Sequence, residues 1–120
     1  MRILTGPAAS GKRAYAIRAL GFREGDIASG VLDERPVLRD LPGLVSACLK
    51  EGRDPESLLP LLEKKELLLI DEIGGGLVPP DPFERELRER TGRLACLLAE
   101  RADTVIRMTC GIPAVIKEEK

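Results

Sequence analysis

The pattern of apolar and polar positions divides the chain into short strands and helices that alternate. Residues 2–5 form a β-prone run followed by a glycine, and the alanine-rich residues 11–20 favour a helix. In residues 40–52, apolar side chains recur at i, i+3, i+4, i+7 and i+8, which is the spacing of an amphipathic helix. Residues 21–36 mix glycines with charges and predict a loop, with one weak strand around residues 26–31.

The second half of the chain continues this alternation. Residues 54–63 begin with Asp-Pro and predict a short helix, because Asp caps a helix and Pro fits its first turn. Residues 67–71 are a continuous apolar run that ends in a carboxylate, which is typical of a strand buried on both faces of a parallel sheet. Residues 81–102 begin with Asp-Pro-Phe-Glu, a strong helix start. Two final strands are predicted at residues 104–109 and 114–117, separated by a Gly-Ile-Pro turn.

Strands that alternate with helices imply an α/β sandwich built around a mainly parallel sheet. A chain of 120 residues has the usual size of one domain with one core. We therefore expect residues 1–120 to form a single domain.

The sharpest chemical signal is a glycine loop between the first predicted strand and the first predicted helix. Its sequence, Gly-Pro-Ala-Ala-Ser-Gly-Lys-Arg, matches the phosphate-binding pattern Gly-x-x-x-x-Gly-Lys-Ser/Thr everywhere except the last position. Glycines let such a loop curl so that backbone N–H groups point at phosphate oxygens, and the lysine adds a mobile charge. The residues predicted to bind nucleotide are Gly6, Pro7, Ala8, Ala9, Ser10, Gly11, Lys12 and Arg13. The alternative is a glycine turn whose lysine is merely solvated.

A second signal is the pair of carboxylates Asp71 and Glu72, which follows the apolar run Leu-Leu-Leu-Ile in the form of a Walker B segment. Ligands of open α/β sheets bind outside the carboxyl ends of the strands, so this edge and the glycine loop should face one crevice. Asp71 and Glu72 are therefore predicted to hold Mg²⁺, directly or through water. Lys12 and Glu72 are the predicted catalytic residues: Lys12 stabilises charge, and Glu72 orients the attacking hydroxyl or accepts its proton. The alternative is a strand that simply ends in solvated acids.

The loop departs from its pattern at Arg13, where a Ser or Thr hydroxyl normally ligates the metal. Ser10, Thr5 or water could complete the metal shell in its place, or Mg²⁺ binding could be weakened. A further alternative is that the extra cation itself binds phosphate instead of the metal.

Composition and charge exclude several classes of function. Nineteen Lys and Arg balance 20 Asp and Glu, no block of like charge is present, and only three residues are aromatic. These features argue against nucleic-acid partners. No apolar run is long enough to span a bilayer and no signal-peptide pattern opens the sequence, so we expect a cytoplasmic protein without a membrane partner.

Two residue types limit the available chemistry further. The three cysteines, Cys48, Cys96 and Cys110, are widely spaced in apolar surroundings and predict reduced core thiols. The chain contains no histidine. Imidazole is therefore excluded as a general base, nucleophile or metal ligand.

With both motifs, the chain resembles the bifunctional adenosylcobinamide kinase/adenosylcobinamide-phosphate guanylyltransferase family. Five segments occur in the family's order, covering residues 1–20 and about 67–117. They are Ile3-Leu4-Thr5-Gly6 through Gly11-Lys12, Ile70-Asp71-Glu72-Ile73-Gly74-Gly75-Gly76-Leu77-Val78-Pro79, Thr91-Gly92-Arg93-Leu94, Ala102-Asp103-Thr104-Val105, and Gly111-Ile112-Pro113 with Ile116-Lys117.

The resemblance implies a three-layer P-loop NTPase-like fold, ATP or GTP as phosphoryl donor, Mg²⁺, and a corrinoid hydroxyl, as in cobinamide, as acceptor. It also implies a homo-oligomer, nucleotide phosphates held by residues 6–12, and Glu72 at the metal or catalytic edge. Asp71 stands where the family often has Asn. Residues 74–79 would form a loop whose backbone lies close to the ligand.

The chain also departs from the family. Residues 21–66 contain no matching segment, and the family's covalently guanylylated histidine has no counterpart here. We therefore expect a kinase-like enzyme in which guanylyl transfer through that histidine is not available. The alternatives are a non-catalytic or degenerate nucleotide-binding module and a simple nucleoside triphosphate hydrolase.

Overall fold

The computed structural model describes residues 1–72 and 79–119. The strands in this part of the chain are β1 (Arg2–Gly6), β2 (Ile27–Ser29), β3 (Val37–Arg39), β4 (Leu67–Asp71), β5 (Thr104–Thr109) and β6 (Ile112–Glu118). The α-helices are α1 (Lys12–Arg18), α2 (Leu41–Lys50), α3 (Leu59–Leu62) and α4 (Pro82–Arg101), with 3-10 turns at Glu24–Asp26 and Pro55–Leu58.

The six strands form one sheet in the order β2-β3-β4-β1-β5-β6. The first five strands are parallel to their neighbours, and only β6 pairs antiparallel, with β5. Gly6 at the end of β1 pairs with Asp71 at the end of β4, so the glycine loop and the predicted Walker B edge are adjacent. The prediction of an α/β fold with a mainly parallel, P-loop-like sheet is confirmed.

Helices cover both faces of this sheet, which gives the predicted three layers. On one face, Ile3, Leu38 and Leu68 pack against α2, α3 and α4 in the larger core. On the other face, Leu4 and Leu69 pack against α1 and the segment that follows it. Neighbouring residues of a strand contribute to different cores because their side chains alternate between the two faces.

Local capping explains where the helices begin. The Asp81 carboxylate accepts a hydrogen bond from the Phe83 amide at 3.0 Å, and α4 starts at the intervening proline. In the same way, the Asp54 carboxylate accepts a hydrogen bond from the Glu56 amide and caps the segment that begins at Pro55. That segment forms a 3-10 turn before α3, so the single helix predicted over residues 54–63 is divided into two short ones.

One strand was not predicted. β3 has only three residues, too few for a periodic signal, but Val37 and Leu38 are almost completely buried. It runs parallel to β2 although only residues 30–36 connect the two strands, whereas most parallel crossovers contain a helix. Lys65 holds this short connection, since its amine donates to the carbonyl oxygens of Asp33 and Arg35.

The predicted Gly-Ile-Pro turn is wrong. Ile112 and Pro113 already belong to β6, and the turn consists of Cys110 and Gly111, with φ angles of 51° and 78°. A proline is tolerated here because β6 is the edge strand, where an N–H group need not join the ladder.

The cysteine prediction is also wrong in part. All three cysteines are free, as expected, but only Cys48 is buried, while Cys96 and Cys110 are exposed. Cys96 lies on an outward position of α4 and Cys110 lies in the turn, so neither belongs to a core. Burial raises the pKa of the Cys48 thiol. None of the described helices is long and apolar enough to cross a membrane.

Candidate functional site

A cleft of about 570 Å³ lies beside the glycine loop at the carboxyl ends of β2, β3 and β4. This volume is within the usual range of small-molecule sites. One wall is formed by the loop and the first residues of α1, and the other by the first residues of α2. The strand residues that line it are Ser29, Arg39, Leu69 and Asp71. The loop and the strand edge therefore face one crevice, as the sequence predicts.

The two glycines that match the phosphate-loop pattern have steric reasons to be glycine. Gly6 has a φ of 146°, and a Cβ there would lie 2.4 Å from the Met108 carbonyl oxygen. Gly11 has a φ of 94°, and a Cβ there would lie 3.2 Å from the Gly111 Cα atom. Only glycine allows the loop to turn sharply this close to the backbone at the end of β5 and in the turn that follows it.

Lys12 lies inside the loop and is only 7% exposed. Its amine donates to the carbonyl oxygens of Gly6 at 3.1 Å and Pro7 at 2.7 Å, and to the Ser10 hydroxyl at 3.2 Å. It also forms an ion pair of 2.7 Å with the Asp71 carboxylate. Phosphate oxygens could replace these acceptors, because an ammonium group donates to any of them from the same position.

Glu72 does not lie in the cleft with Asp71. Its carboxylate accepts two hydrogen bonds from the Arg107 guanidinium, at 2.6 and 3.1 Å, and its amide donates to the Gly6 carbonyl oxygen at 2.8 Å. The Arg107 hydrogen bonds hold the pKa of Glu72 below its ordinary value. The two carboxylates separate because consecutive strand residues point to opposite faces of the sheet.

Arg13 lines the cleft where the phosphate-loop pattern has a hydroxyl. Its guanidinium forms an ion pair with Glu24, in the 3-10 turn that precedes β2. Both side chains of this pair are more than half exposed, so the pair lies at the protein surface, and Glu24 is not among the residues that line the cleft.

Sequence reasoning missed two residues of the cleft, Arg39 and Asp40. Asp40 was interpreted only as the start of α2, and it does cap that helix by accepting from the Gly43 amide at 3.1 Å. Its φ of 61° places it at a sharp turn directly after β3. The signal that could have found both residues is the apolar pair Val37 and Leu38 followed at once by two charges, a short version of the β4 pattern.

Asp40 and Asp71 line the same cleft, and both carry the carboxylate oxygens that Mg²⁺ takes as ligands. Mg²⁺ usually takes one or two carboxylates from the protein and completes its shell with water and substrate phosphates. Within the described residues, no group of three or more His, Cys, Asp and Glu side chains could hold a metal by itself. A metal at this edge would therefore depend on a phosphate ligand as well as on the protein.

The predicted loop at residues 74–79 lies, apart from Pro79, outside the described residues. Its closeness to the ligand therefore stays a prediction. Pro79 itself is held by Arg85 of α4, which donates to its carbonyl oxygen at 3.1 Å.

The family model for cobinamide kinase / cobinamide phosphate guanyltransferase matches residues 45–116, which is more than half of the chain. The chain belongs to this family. A search of curated proteins found no match. The family acts on cobinamide and nucleoside triphosphates in cobalamin biosynthesis, so the chain has a cobinamide kinase/guanylyltransferase-like function at the level of the family.

The matched range corrects one expectation from the sequence. We found no family-like segment in residues 21–66, but the match begins at Val45 and so includes most of α2 and the segment before β4. It contains Asp71 and Glu72. The glycine loop lies before the matched range, and its interpretation rests on its sequence pattern and its geometry.

Proposed function

We propose that this protein is a kinase that transfers the γ-phosphoryl group of ATP or GTP to a hydroxyl group of a small molecule, with a cobinamide-like corrinoid as acceptor. The observation that carries the proposal is the position of Lys12. Its amine is buried inside a glycine loop and paired with Asp71 at the edge of a ligand-sized cleft. Family membership supports the acceptor and the nucleotide.

The chain's own residues would act mainly by position and charge. The backbone N–H groups of residues 6–12, apart from Pro7, which has none, would hold the phosphates. Lys12 would turn from Asp71 toward the negative charge of the transferred group. As the acceptor oxygen forms its bond to the γ-phosphorus, the bond from that phosphorus to the β-γ bridging oxygen breaks and the nucleoside diphosphate leaves. The proton of the acceptor hydroxyl passes to a phosphate oxygen or to water. The loose transition state of this reaction needs little help from a base.

Asp71 is the residue that we assign to magnesium, and Asp40 would have to release the Gly43 amide and turn into the cleft to serve as a second ligand. When bound there, the ion would neutralise charge on the β- and γ-phosphate oxygens. Glu72, predicted from the sequence as a metal ligand and catalytic residue, would have to leave Arg107 to reach the cleft. Its role at this edge stays a prediction.

The second candidate function is a nucleotide-binding module without catalysis. Arg13 favours it, because a guanidinium paired with Glu24 cannot ligate the metal as a hydroxyl does. Since the chain has no histidine, it also lacks the imidazole that the resemblance would require for guanylyl transfer. We do not extend the proposal to that reaction.

We also propose that residues 1–120 act as one domain, that copies of the chain assemble into a homo-oligomer, and that the protein works in the cytoplasm. The single sheet supports the first proposal. The apolar side chains exposed along β6 support the second. The three free thiols suit a reducing compartment and support the third.

Substitution of Lys12 tests the proposed function. Calorimetric titration with ATP and GTP, with and without Mg²⁺, should show Lys12→Ala weakening nucleotide binding by about tenfold to a hundredfold, the expected loss for hydrogen bonds to a charged group. Lys64→Ala removes an exposed lysine outside the cleft and serves as the control.

The outcomes separate the two candidate functions. Unchanged affinity in Lys12→Ala would contradict both, because both require the loop to hold phosphates. Phosphorylation of cobinamide by the wild-type protein, above the level of Lys12→Ala, supports the kinase. Tight nucleotide binding with no transfer to cobinamide supports the binding module.

A further inference from the structure

We infer that Arg39 binds the terminal phosphoryl group of a nucleoside triphosphate in this cleft, and so makes the site selective for triphosphates over diphosphates. The inference rests on the proposed function, because it requires the glycine loop to hold a nucleotide. It adds a binding residue that neither the loop pattern nor the Walker B pattern contains.

The first argument is the charge inventory of the cleft. Three cationic side chains line it, Lys12, Arg13 and Arg39. Lys12 is paired with Asp71, and Arg13 is paired with Glu24. The Arg39 guanidinium has no hydrogen bond or ion pair with any part of the chain that the structure describes. Among the described residues that line the cleft, Arg39 is therefore the cationic side chain that can take up an anion without first breaking an ion pair.

The adjacent carboxylate does not neutralise Arg39. Asp40 follows it in the sequence and lines the same cleft. However, its carboxylate faces the start of α2, where it accepts a hydrogen bond from the Gly43 amide. The guanidinium is therefore left to a ligand, and an anionic ligand suits it because arginine binds phosphate oxygens with two parallel donors.

The second argument is distance. The register of β3 and β4 pairs Val37 with Leu67 and Leu38 with Leu68, so Arg39 is in line with Leu69. Asp71 lies two residues further along β4. Neighbouring strands are about 4.8 Å apart and each residue advances about 3.3 Å, which puts the Cα atoms of Arg39 and Asp71 about 8 Å apart. A long side chain from this position can reach a group held beside Lys12.

The third argument is the composition of the glycine loop. Arg13 stands where the pattern has a metal-binding hydroxyl. A triphosphate carries more negative charge than a diphosphate, and the added charge lies on the terminal group, which a P-loop and its lysine hold from one side. Arg39 lines the same cleft from β3, with β4 between it and β1, so it would approach the terminal group from the side opposite the loop.

The test compares ATP with ADP on three variants by calorimetric titration, in the presence of Mg²⁺ and again with a chelator. The wild-type protein should bind ATP more tightly than ADP. Arg39→Gln should weaken ATP binding by about tenfold and change ADP binding by about twofold or less, since one charged hydrogen-bonding group is lost from the terminal phosphate alone. Arg39→Lys keeps the positive charge but cannot make two parallel hydrogen bonds to one phosphate, so it should retain part of the preference for ATP over ADP.

The control variant is Arg18→Gln, which removes one exposed positive charge of α1 outside the cleft. It should leave both affinities as they are. Inorganic tripolyphosphate and pyrophosphate provide a second pair of ligands without the base and ribose, and they should show the same loss of preference in Arg39→Gln. Thermal unfolding of each variant checks that the exposed substitution leaves the fold intact.

Two outcomes overturn the inference. Equal weakening of ATP and ADP in Arg39→Gln would mean that Arg39 acts on the whole cleft rather than on the terminal group. An unchanged preference for ATP would mean that it does not contact the nucleotide. Both outcomes leave the proposed function standing, whereas nucleotide binding that survives Lys12→Ala, or is absent from the wild-type protein, removes the proposed function and the inference together.

Discussion

The side chains of Asp71 and Glu72 leave the end of β4 on opposite faces of the sheet, and each meets a different cation. Asp71 pairs with Lys12 in the cleft, and Glu72 pairs with Arg107 of β5 on the other face. A sequence shows only that two acids follow an apolar run. The alternation of side chains along a strand decides which of them faces the phosphate loop.

The Glu72–Arg107 pair gives a prediction about pH and stability. Arg107 lowers the pKa of Glu72, so the pair stabilises the folded state above the ordinary glutamate pKa. This contribution is lost as the pH falls through the lowered value, where the folded protein must also take up the proton. Arg107→Gln should therefore lower the Tm at pH 7, and the difference from the wild-type protein should shrink in acid.

Thermal unfolding followed by circular dichroism over a series of pH values measures this difference. Arg18→Gln, with the same change of charge on α1, is the control and should show no such trend. A Tm difference for Arg107→Gln that stays constant from neutral to strongly acidic pH would mean that the carboxylate of Glu72 is not its origin.

Among the helices and strands, the sequence predicts best those that have a local reason to form. Helices α2 and α4 have apolar side chains at helical spacing and an aspartate at the N-cap, and both formed close to the predicted bounds. β3 has no such signal. It exists because its three residues complete the sheet between β2 and β4.

The connection between β2 and β3 depends on one buried lysine. Lys65 is 8% exposed and donates to the carbonyl oxygen of Arg35 at 2.5 Å and to that of Asp33. The Arg35 guanidinium in turn holds the Asp33 carboxylate and lowers its pKa to about 2. These contacts take the place of the helix that a longer crossover would contain.

Lys65→Met keeps most of the side-chain volume and removes the donor. Two backbone carbonyls would lose their partner, which should lower the free energy of unfolding by about 1–3 kcal/mol. Urea denaturation measures the loss. Lys64→Met changes the exposed neighbour and should have almost no effect, so equal losses in the two variants would contradict a specific role for Lys65.

The β6 edge of the sheet is apolar. β6 is the last strand in the sheet, and Ile112, Val115 and Ile116 are 69%, 56% and 61% exposed. Proteins usually protect such edges with charges or cover them, because the free N–H and C=O groups can pair with another chain. A second copy of the chain can cover this edge by adding its own β6.

Ile116→Lys should therefore shift the protein from an oligomer to a monomer of 13.1 kDa. Light scattering after size-exclusion chromatography measures the molar mass. Val31→Lys is the control, because Val31 is a 50% exposed apolar side chain in the connection between β2 and β3, away from this edge. A wild-type protein that is already monomeric, or an oligomer that survives Ile116→Lys, would contradict the role of β6.

Features that depend on neighbours in the chain could be read from the sequence: the glycine loop with Lys12, the capped helices, and the buried β4 run. The lack of imidazole chemistry followed from the composition. Which distant residues share the cleft depended on how the strands pair in the folded chain. Arg39 and Asp40 reached it because parallel strands bring their carboxyl ends to one edge of the sheet. Glu72 lies outside the cleft because successive side chains along a strand point to opposite faces of the sheet. No local sequence pattern predicts which of these faces will lie beside the glycine loop.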